Sequence, residues 1–357
     1  MSGMNIVLTS GVALGTHVPG LLVNDAFAAH GLASRVYVLE QLFPEDVRQR
    51  IRSAKGRYGR NFRLAKAAHA LATDHAELIP SAAVAALFEE WDASGASSVA
   101  VFSGFWTPLV REYVRGRPDV RVDVCHLDAV ASPSHRRAEE IPGSTRSWLL
   151  DAQANALNEG ILIGGDGVRI PWTSRSIGFL AHGGGWGMGN HAHAASELAE
   201  AGESVSLLLT EPQNGPPGKP AVYHQEPGWE AWSHAGFPRL AAGPGTAAPP
   251  FLSRDRWSDS FELTRRARAV VSKPGAGTLV DSLNAATPVL FTEALGEWEL
   301  ANERVWCTLG FGMRLAEWMD KRDPALLEAM HERLCEASGG IASYPDRLIE
   351  EGFGSSR

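Results

Sequence analysis

The sequence predicts an α/β protein with two similar halves, each a parallel sheet covered by helices. Both halves open on the same order of elements, a short apolar strand, a glycine-rich loop and a helix. The opening strands are Asn5–Thr9 and Ile177–Leu180. Their apolar residues do not alternate with polar ones, as in parallel sheets that are buried on both faces. The chain of 357 residues is long enough for two domains of ordinary size.

Composition excludes several classes of protein. Hydrophobic residues make up 44% of the chain and charged residues 21%, which is typical of a globular protein. The net charge of −8 argues against nonspecific binding of nucleic acid. Cys125, Cys307 and Cys335 are odd in number and far apart, so neither a disulfide framework nor a zinc site is predicted. No basic signal-peptide region and no apolar run of ~18 residues is found, so we expect a cytoplasmic protein without a membrane span.

The loop after the first strand contains a candidate catalytic residue, His17. Residues Ser10–Gly20 are predicted as this loop, and Leu21–Gly31 as the helix that follows. The carboxyl ends of parallel strands are where ligands of α/β sheets bind. An imidazole that titrates near neutrality can deprotonate a hydroxyl or an amine, so His17 is a candidate general base. The alternative is a loop histidine that bonds a backbone carbonyl.

Two later strands of the first half end in polar or aromatic side chains. These side chains are Ser103, Trp106, His126 and Asp128. Since parallel strands end at one edge of the sheet, we expect them to face the same crevice as His17. A metal bound by His17, His126 and Asp128 is the weaker alternative, because no tight ligand spacing supports it.

A local basic segment, residues 48–66, contrasts with the acidic chain. Its cations are Arg48, Arg50, Arg52, Lys55, Arg57, Arg60, Arg63 and Lys66. Arg57 and Arg60 are candidates for binding an anionic acceptor, a carboxylated sugar or a diphosphate. The alternative is a solvated helix face with a mobile loop at Gly56 and Gly59.

The second half has the richest glycine loop of the chain, at residues 182–190. A helix is predicted before it at Ser144–Asn158, and a domain boundary at 165–175. Small residues allow phosphates to approach the backbone, so Gly184, Gly185 and Asn190 are candidate contacts. A dinucleotide site is less favoured because a strict GxGxxG is absent. Further predictions are a turn at Gln213–Lys219 and pyrophosphate contacts at Arg254 and Arg256.

Residues 269–303 carry the most informative pattern. The strand Ala269–Val271 leads through a glycine-rich turn into a helix at Leu279–Ala286, and Pro288–Phe291 reads as the next strand. Such a βαβ unit presents free backbone N–H groups to an anion at the start of its helix. The candidate contacts in the turn are Ser272, Pro274, Gly275, Gly277 and Thr278. Asp281, within the first turn or so, could accept hydrogen bonds from a ribose diol, or could only cap the helix.

This stretch resembles the nucleotide-sugar site of GT-B glycosyltransferases. The resemblance rests on the turn Pro274–Thr278, on Asp281, on the strand Pro288–Phe291 and on Glu297–Asn302. The family usually has glutamate where Asp281 stands. The segment Thr16–Pro19, with His17 inside it, is similar to the family's Gly-His-x-x-Pro loop. The chain is also similar to small actinobacterial enzymes related to cytosylglucuronate synthase, which join a uronic acid to a nucleobase.

The resemblance implies a GT-B fold, with two Rossmann-like domains facing across a cleft. Residues 1–165 would bind the acceptor, residues 176–340 the nucleotide sugar, and the helix in 341–357 would pack back on the first domain. The implied donor contacts are Gly184, Gly185, Asn190, Ser272, Pro274, Gly275, Gly277, Thr278, Asp281 and Glu297. The implied acceptor contacts are Ser103, Trp106, His126, Arg57 and Arg60.

The implied reaction is transfer of a sugar, a hexose or a uronic acid, from a nucleoside diphosphate to a small-molecule acceptor of secondary metabolism. UDP is the expected nucleotide. The resemblance implies that His17 is the base, that Asp128 orients its imidazole, as an aspartate from a later strand end often does in this family, and that the outcome is inversion. No cofactor besides the nucleotide sugar, no metal and no nucleic acid is expected, and the oligomeric state stays open. Alternatives are a nucleotide-sugar hydrolase or epimerase of the same fold, with Glu293, Glu297 and Glu299 as extra carboxylates, or a non-catalytic auxiliary protein.

Overall fold

The structure is a computed structural model that describes residues 3–12, 14–70, 76–165, 167–211, 220–246 and 255–354. The turn predicted at Gln213–Lys219 and the predicted contact Arg254 lie outside these ranges. The described strands form two large sheets, one from each half of the chain, and a short hairpin.

The sheet of the first half is parallel throughout, in the order β2-β1-β3-β4-β5. Its strands are β1 Met4–Thr9, β2 Ser34–Val38, β3 Ala96–Val101, β4 Arg121–His126 and β5 Thr145–Trp148. Its helices are α1 Leu14–Ala29, α2 Glu45–Arg60, α3 Phe62–Ala70, α4 Ser81–Ala93, α5 Thr107–Arg115 and α6 Pro133–Arg136. The strands β1, β3 and β4 are buried over most of their length, as their apolar composition requires.

An antiparallel hairpin of β6 Leu150–Asp151 and β7 Ala156–Leu157 follows the first sheet. The second sheet has the order β11-β10-β9-β8-β12-β13-β14. Its strands are β8 Ile177–His182, β9 Val205–Leu209, β10 Ala221–Gln225, β11 Leu240–Ala242, β12 Ala267–Ser272, β13 Val289–Phe291 and β14 Gly312–Arg314. All neighbouring pairs are parallel except β10 with β11. The parallel pairing of β8, β12 and β13 places the predicted βαβ unit at the centre of the sheet.

The helices of the second half are α7 His191–Glu200, α8 Asp259–Arg266, α9 Ala276–Ala285, α10 Glu297–Thr308, α11 Leu315–Lys321, α12 Pro324–Gly340 and α13 Tyr344–Glu350. The last of them contacts the first sheet. The Tyr344 hydroxyl donates a hydrogen bond of 2.8 Å to Asp123 on β4, and Arg347 donates one of 2.6 Å to Ser147 on β5. The exact limits of the two domains stay a prediction.

The helix predicted at Ser144–Asn158 is wrong. The segment forms β5 and the hairpin strands, and β5 pairs with β4. Buried Asp123 supplies the physical reason, because its carboxylate accepts hydrogen bonds from the hydroxyls of Thr145, at 2.6 Å, and Ser147, at 2.8 Å. A strand places these alternate side chains on one face, where both can reach the same carboxylate.

The predicted loop Ser10–Gly20 is also corrected, because α1 begins at Leu14 and contains Pro19 and Gly20. Glycine at position 20 serves close packing rather than a turn. A Cβ at this position would lie 2.3 Å from Cγ2 of Thr9 on β1. Gly20 therefore indicates a close contact between helix and strand rather than a loop. His17 is consequently a helical residue.

The basic segment is helical rather than partly mobile. Helix α2 continues through Gly56 and Gly59 to Arg60, and α3 begins at Phe62. A Cβ at Gly59 would lie 3.0 Å from the carbonyl oxygen of Trp186 in the second half. This glycine lets the helix approach the glycine loop of the other half.

Candidate active site

A cavity of about 630 Å³ lies between the two sheets. Residues that follow strands of both sheets line it, namely Ser10, Ser103 and Asp128 after β1, β3 and β4, and Gly183 and Lys273 after β8 and β12. The sheets therefore present their carboxyl ends to one space, which is where α/β sheets bind ligands.

The glycine loop after β8 forms one wall of the cavity. Gly183, Gly184 and Gly185 all line it, and the second and third of them are predicted phosphate contacts. Gly184 has a φ of 70°, a conformation that side chains other than glycine rarely adopt. A Cβ at Gly185 would lie 2.5 Å from Cβ of Leu14, so only glycine allows the loop to meet the start of α1.

The turn after β12 forms the adjoining wall. Gly275 is the N-cap of α9, and Gly275, Gly277 and Thr278 line the cavity. A Cβ at Gly277 would lie 2.9 Å from Cα of Gly15, which is the second residue of α1. The N-termini of α1 and α9 therefore touch, one from each half, and the positive ends of two helix dipoles point at one region.

Asp281 lines the same cavity from the second turn of α9 rather than from its first. Its distance from the helix start removes the capping alternative. Burial raises the pKa of Asp281 to about 7. Among the described residues, none donates a hydrogen bond to this carboxyl group. A ligand with hydroxyl donors would satisfy it.

Asp128 lies in the cavity at the end of the first sheet, and Asn302 on α10 holds it. The amide nitrogen of Asn302 donates to Asp128 Oδ1 at 2.7 Å and to the carbonyl oxygen of Pro274 at 3.0 Å. Asn302 also accepts a hydrogen bond of 2.8 Å from the backbone of Ala129. One amide thus joins the two halves at the cavity. Burial raises the pKa of Asp128 to about 6.

Two pairs of residues at the cavity are Ser10 with Glu40 and Lys273 with Glu299, and of these four only Glu299 was predicted, as an extra carboxylate of the cleft. Glu40 is buried and accepts hydrogen bonds from the Ser10 hydroxyl at 2.7 Å and from the backbones of Gly11 and Val12 at 2.7 and 3.1 Å. It therefore holds the residues between β1 and α1. The second pair is the buried ion pair of Lys273 with Glu299, and both of its members line the cavity.

His17 does not line the cavity, although its neighbours Thr16 and Val18 do. The helix turns its ring back toward β1, where Nδ1 lies 3.0 Å from the Thr9 hydroxyl. The side chain is 2% exposed, and burial lowers the pKa of His17 to about 4. His17 was predicted as the base because an accessible loop position was expected for it. The structure instead places His17 in a helix, where its side chain is buried.

Of the residues predicted to contact the acceptor, some line the cavity and others do not. Ser103 lines the cavity. Trp106 is fully buried and donates a hydrogen bond of 2.7 Å to the carbonyl oxygen of Thr9, so it is a packing residue. His126 is buried in a stack on Trp148, with ring centroids 3.9 Å apart, and does not reach the cavity.

The two arginines that were predicted to bind an anion have different surroundings. Arg57 lines the cavity, whereas Arg60 pairs with Glu211 at 3.4 Å. Other cations of the basic segment also bind the second half. Arg52 donates to Glu230 through two nitrogens, at 2.5 and 2.8 Å, Lys55 donates to Gln225 at 3.0 Å, and Lys66 pairs with Glu293 at 2.5 Å. Four of the eight cations of the segment, Arg52, Lys55, Arg60 and Lys66, therefore bridge the halves.

Four predicted donor contacts and the predicted contact Arg256 lie off the cavity. Asn190 is the exposed N-cap of α7, Ser272 is fully buried, and Pro274 is buried behind the turn, where its carbonyl binds Asn302. Exposed Glu297 pairs with Arg136 at 3.4 Å. Arg256 donates a hydrogen bond of 2.8 Å to the Gly164 carbonyl.

The wall of the cavity on the side of the first half is largely apolar. The side chains that form it are Leu39, Phe43, Val47, Ile51, Tyr58 and Phe105. The cavity therefore combines a polar end, at the two glycine loops, with an apolar end under α2. In the described part of the chain, no cluster of three or more histidine, cysteine, aspartate or glutamate side chains could bind a metal ion, and no helix has the length and apolarity to cross a membrane.

Comparison with known proteins yields similar structures but no similar sequences. Neither the family models nor the curated proteins match the chain. The glycosyltransferase SnogD from Streptomyces nogalater matches over 99% of this chain and 100% of its own, at 14% identity and a TM-score of 0.56. The glycosyltransferase SsfS6 from Streptomyces sp. SF2575, solved with thymidine diphosphate, matches over 98% and 100%, at 13% identity and a TM-score of 0.59.

A plant structure matches over a similar share. UGT89C1 from Arabidopsis thaliana, solved with UDP-L-rhamnose, covers 98% of both chains at 10% identity, with a TM-score of 0.53. Identities this low show the fold and leave the predicted likeness to cytosylglucuronate synthase a prediction. The chain has the GT-B fold, in which two Rossmann-like domains face each other across a cleft.

Proposed function

We propose that the protein is a glycosyltransferase that moves a sugar from a nucleoside diphosphate to a small-molecule acceptor. One observation carries the proposal, the convergence of two glycine loops and the N-termini of α1 and α9 on a single cavity. Backbone N–H groups and helix dipoles at this place stabilise a diphosphate, both in the bound donor and as the leaving group. The similar structures with thymidine diphosphate and UDP-L-rhamnose support a nucleotide ligand.

Asp281 is the proposed ribose contact. Its carboxyl group lines the cavity one helical turn beyond the diphosphate turn, and it has no donor among the described residues. The two ribose hydroxyls would supply hydrogen bonds to it. UDP remains the predicted nucleotide.

Asp128 is the proposed general base. It lies at the end of β4, on the acceptor side of the cavity, and Asn302 fixes its orientation. A carboxylate whose pKa is raised to about 6 is a stronger base than an ordinary one and is still largely ionised at neutral pH. A base that deprotonates the acceptor as the bond to the diphosphate breaks implies a single in-line displacement, and therefore inversion at the anomeric carbon. The apolar wall under α2 favours an acceptor with an apolar body.

Nucleotide binding provides the first test. Wild-type protein should be stabilised against heat by one of UDP, TDP, GDP or CDP, because a ligand that binds only the folded state raises its stability. Asp281→Ala should lose most of this shift, and the exposed control Asp320→Ala should keep it. If no nucleoside diphosphate shifts the melting temperature, the proposal is wrong.

Turnover provides the second test, in a screen of apolar alcohols and phenols with the matching sugar nucleotides. Asp128→Asn should reduce transfer by about 10²- to 10⁴-fold, the usual contribution of a general base, while the nucleotide shift persists. His17→Gln should leave transfer nearly unchanged. The reverse result would assign the base to His17. Product anomers, read by NMR, decide between inversion and retention.

The hydrolase or epimerase alternative depends on free carboxylates in the cleft. Each of the three glutamates considered for it has a cationic partner, Lys66 for Glu293, Arg136 for Glu297 and Lys273 for Glu299. Only Glu299 among them lines the cavity. The geometry thus favours transfer, and release of free sugar without an acceptor would favour hydrolysis.

A further inference from the structure

We propose that Lys273 binds the diphosphate of the donor directly, while Glu299 holds its ammonium group in position. This inference rests on the proposed function and adds to it a cationic contact that neither the sequence pattern nor the comparisons assign. Lys273 would supply a full positive charge at the polar end of the cavity.

The position of Lys273 is the first argument. The residue comes directly after β12, where the turn leads into α9, and it is only 9% exposed. Its Nζ binds Oε1 of Glu299, and both side chains line the cavity. Glu299 is itself fixed, because Oε2 accepts a hydrogen bond of 2.6 Å from the backbone of Leu295. The lysine is thus anchored within the site rather than directed into solvent.

A glycine of each of the two glycine loops lies beside the end of the Lys273 side chain. A Cβ at Gly275 would lie 3.1 Å from Nζ of Lys273, and a Cβ at Gly184 would lie 3.8 Å from its Cε. Glycine at both positions leaves room beside the side chain. A phosphate bound to the backbone of either loop would therefore be within reach of Nζ.

Charge and donor capacity complete the argument. Among the described cavity-lining residues, Lys273 is the only lysine or arginine that the second half contributes, since Arg50 and Arg57 both lie on α2. Its ammonium group has three N–H donors, and one described acceptor, Glu299, uses one of them. The remaining donors can bind phosphate oxygens without breaking the ion pair. Charge-assisted hydrogen bonds of this kind are among the stronger polar contacts.

The decisive variant is the double substitution Lys273→Met with Glu299→Gln. Removing one partner alone would leave an uncompensated buried charge and destabilise the fold. The double variant keeps the shapes of both side chains and leaves the net charge of the cavity unchanged. A loss of affinity would therefore report a direct contact rather than a change in long-range potential. The matched control is Lys321→Met with Glu317→Gln, an exposed ion pair of 2.8 Å on α11.

The measurement is calorimetric titration with inorganic pyrophosphate, with the nucleoside diphosphate that binds wild type, and with the corresponding nucleoside. For the double variant we expect the affinity for both phosphate ligands to fall about tenfold or more, the loss expected for a charge-assisted hydrogen bond. The affinity for the nucleoside should stay within twofold of wild type, on the order of the scatter of such measurements. The control variant should bind all three ligands as wild type does.

Two results would overturn the inference. Undiminished binding of pyrophosphate by the double variant would show that Lys273 does not touch the phosphates. An equal loss for the nucleoside would show that the ion pair only shapes the site. Failure of wild type to bind any nucleoside diphosphate would instead refute the proposed function, and this inference with it.

Discussion

In the described part of the chain, four carboxyl groups line the cavity, and their surroundings divide them into two kinds. Glu40 accepts three hydrogen bonds and Glu299 binds a lysine, so the protein itself occupies both carboxyl groups. Asp128 has a single amide partner, and Asp281 has none among the described residues. Burial raises the pKa of these two aspartates to about 6 and about 7. Carboxyls left with acceptor capacity and a raised pKa are the ones available for ligands.

Asp281→Asn tests this difference through the pH dependence of stability. The pKa of Asp281 is 3.8 in its reference state and about 7 when folded, so between these values the folded state holds a proton that the unfolded state has lost. Stability is therefore lost as pH rises through this range. The variant should melt like wild type near pH 4 and be more stable by on the order of 1 kcal/mol near pH 8.

Thermal melts of wild type, Asp281→Asn and the exposed control Asp320→Asn across this pH range provide the measurement. Asp320→Asn should show no such pH-dependent gain. A constant difference between Asp281→Asn and wild type at all pH values would contradict the assignment.

Sequence could predict that Gly275, Gly277, Thr278 and Asp281 belong to one βαβ unit, because their relation depends on local spacing. Their role as donor contacts stays a prediction, and Ser272 and Pro274 of the same turn lie off the cavity. Sequence could not predict Lys273, whose partner Glu299 lies 26 positions away, or Glu40, which binds a loop some 30 positions before it. The prediction that His17 faces the cavity was wrong for another reason. The side of a helix that faces a cavity depends on tertiary packing, which a single sequence does not specify.

At the scale of the elements, several glycines that resemble helix breakers are points of close contact. Gly20 lies against Thr9, Gly59 against the Trp186 carbonyl and Gly277 against Gly15. In each case the missing Cβ permits a distance between elements that another residue would prevent. Because loops and close contacts both require glycine, the sequence alone favoured loops. The first helix was consequently predicted to begin at Leu21 rather than at Leu14, and a loop was predicted at Gly56 and Gly59, where α2 is continuous.

Gly277→Ala tests the contact between α1 and α9. The added Cβ would lie 2.9 Å from backbone Cα of Gly15, so the two helix starts have to separate. We expect a lower melting temperature and a weaker nucleotide shift, despite the gain of up to about 1 kcal/mol that alanine gives a helix over glycine. Thermal melts with and without nucleotide measure both effects.

The matched control is Gly339→Ala. Gly339 belongs to α12 and has no atom within 4 Å of an added Cβ. This variant should gain stability and keep the nucleotide shift. If Gly277→Ala behaves like it, the close approach of the two helices is not important for the site.

At the scale of the whole molecule, the repeated order of strand, glycine loop and helix was sufficient to predict two parallel sheets. Such sheets follow from local patterns and from the helical crossovers that join parallel strands. The way the halves meet was not predictable. It depends on contacts such as Asn302 with Asp128 and Arg52 with Glu230, whose members lie 174 and 178 positions apart.

Both halves also contain buried histidines, which predict sensitivity to acid. Burial lowers the pKa of five imidazoles to about 3 or 4, those of His17, His126, His135, His182 and His191. Below 6.5 the unfolded chain takes up protons that the folded protein does not, so stability falls as pH decreases toward 4. Burial also raises the pKa of four carboxyl groups, those of Asp25, Glu40, Asp128 and Asp281, and their protonation acts in the opposite direction, but fewer groups contribute.

Denaturant unfolding should therefore show a clear loss of stability between about pH 7 and about pH 5. His17→Asn should reduce this loss, because one of the five groups is removed, whereas substitution of exposed His193 by Asn should not. Equal stability of wild type at both pH values would refute the prediction.

The bridges made by the basic segment have a consequence for the speed of the reaction. Helices α2 and α3 border the cavity and bind the second half through Arg52, Lys55 and Lys66. We expect these contacts to slow both the entry of a nucleotide sugar and the exit of the spent nucleotide. The rate of ligand exchange then depends on how long these ion pairs and hydrogen bonds stay formed, and salt weakens the ion pairs. Turnover would be limited by product release rather than by chemistry, and moderate salt would accelerate it.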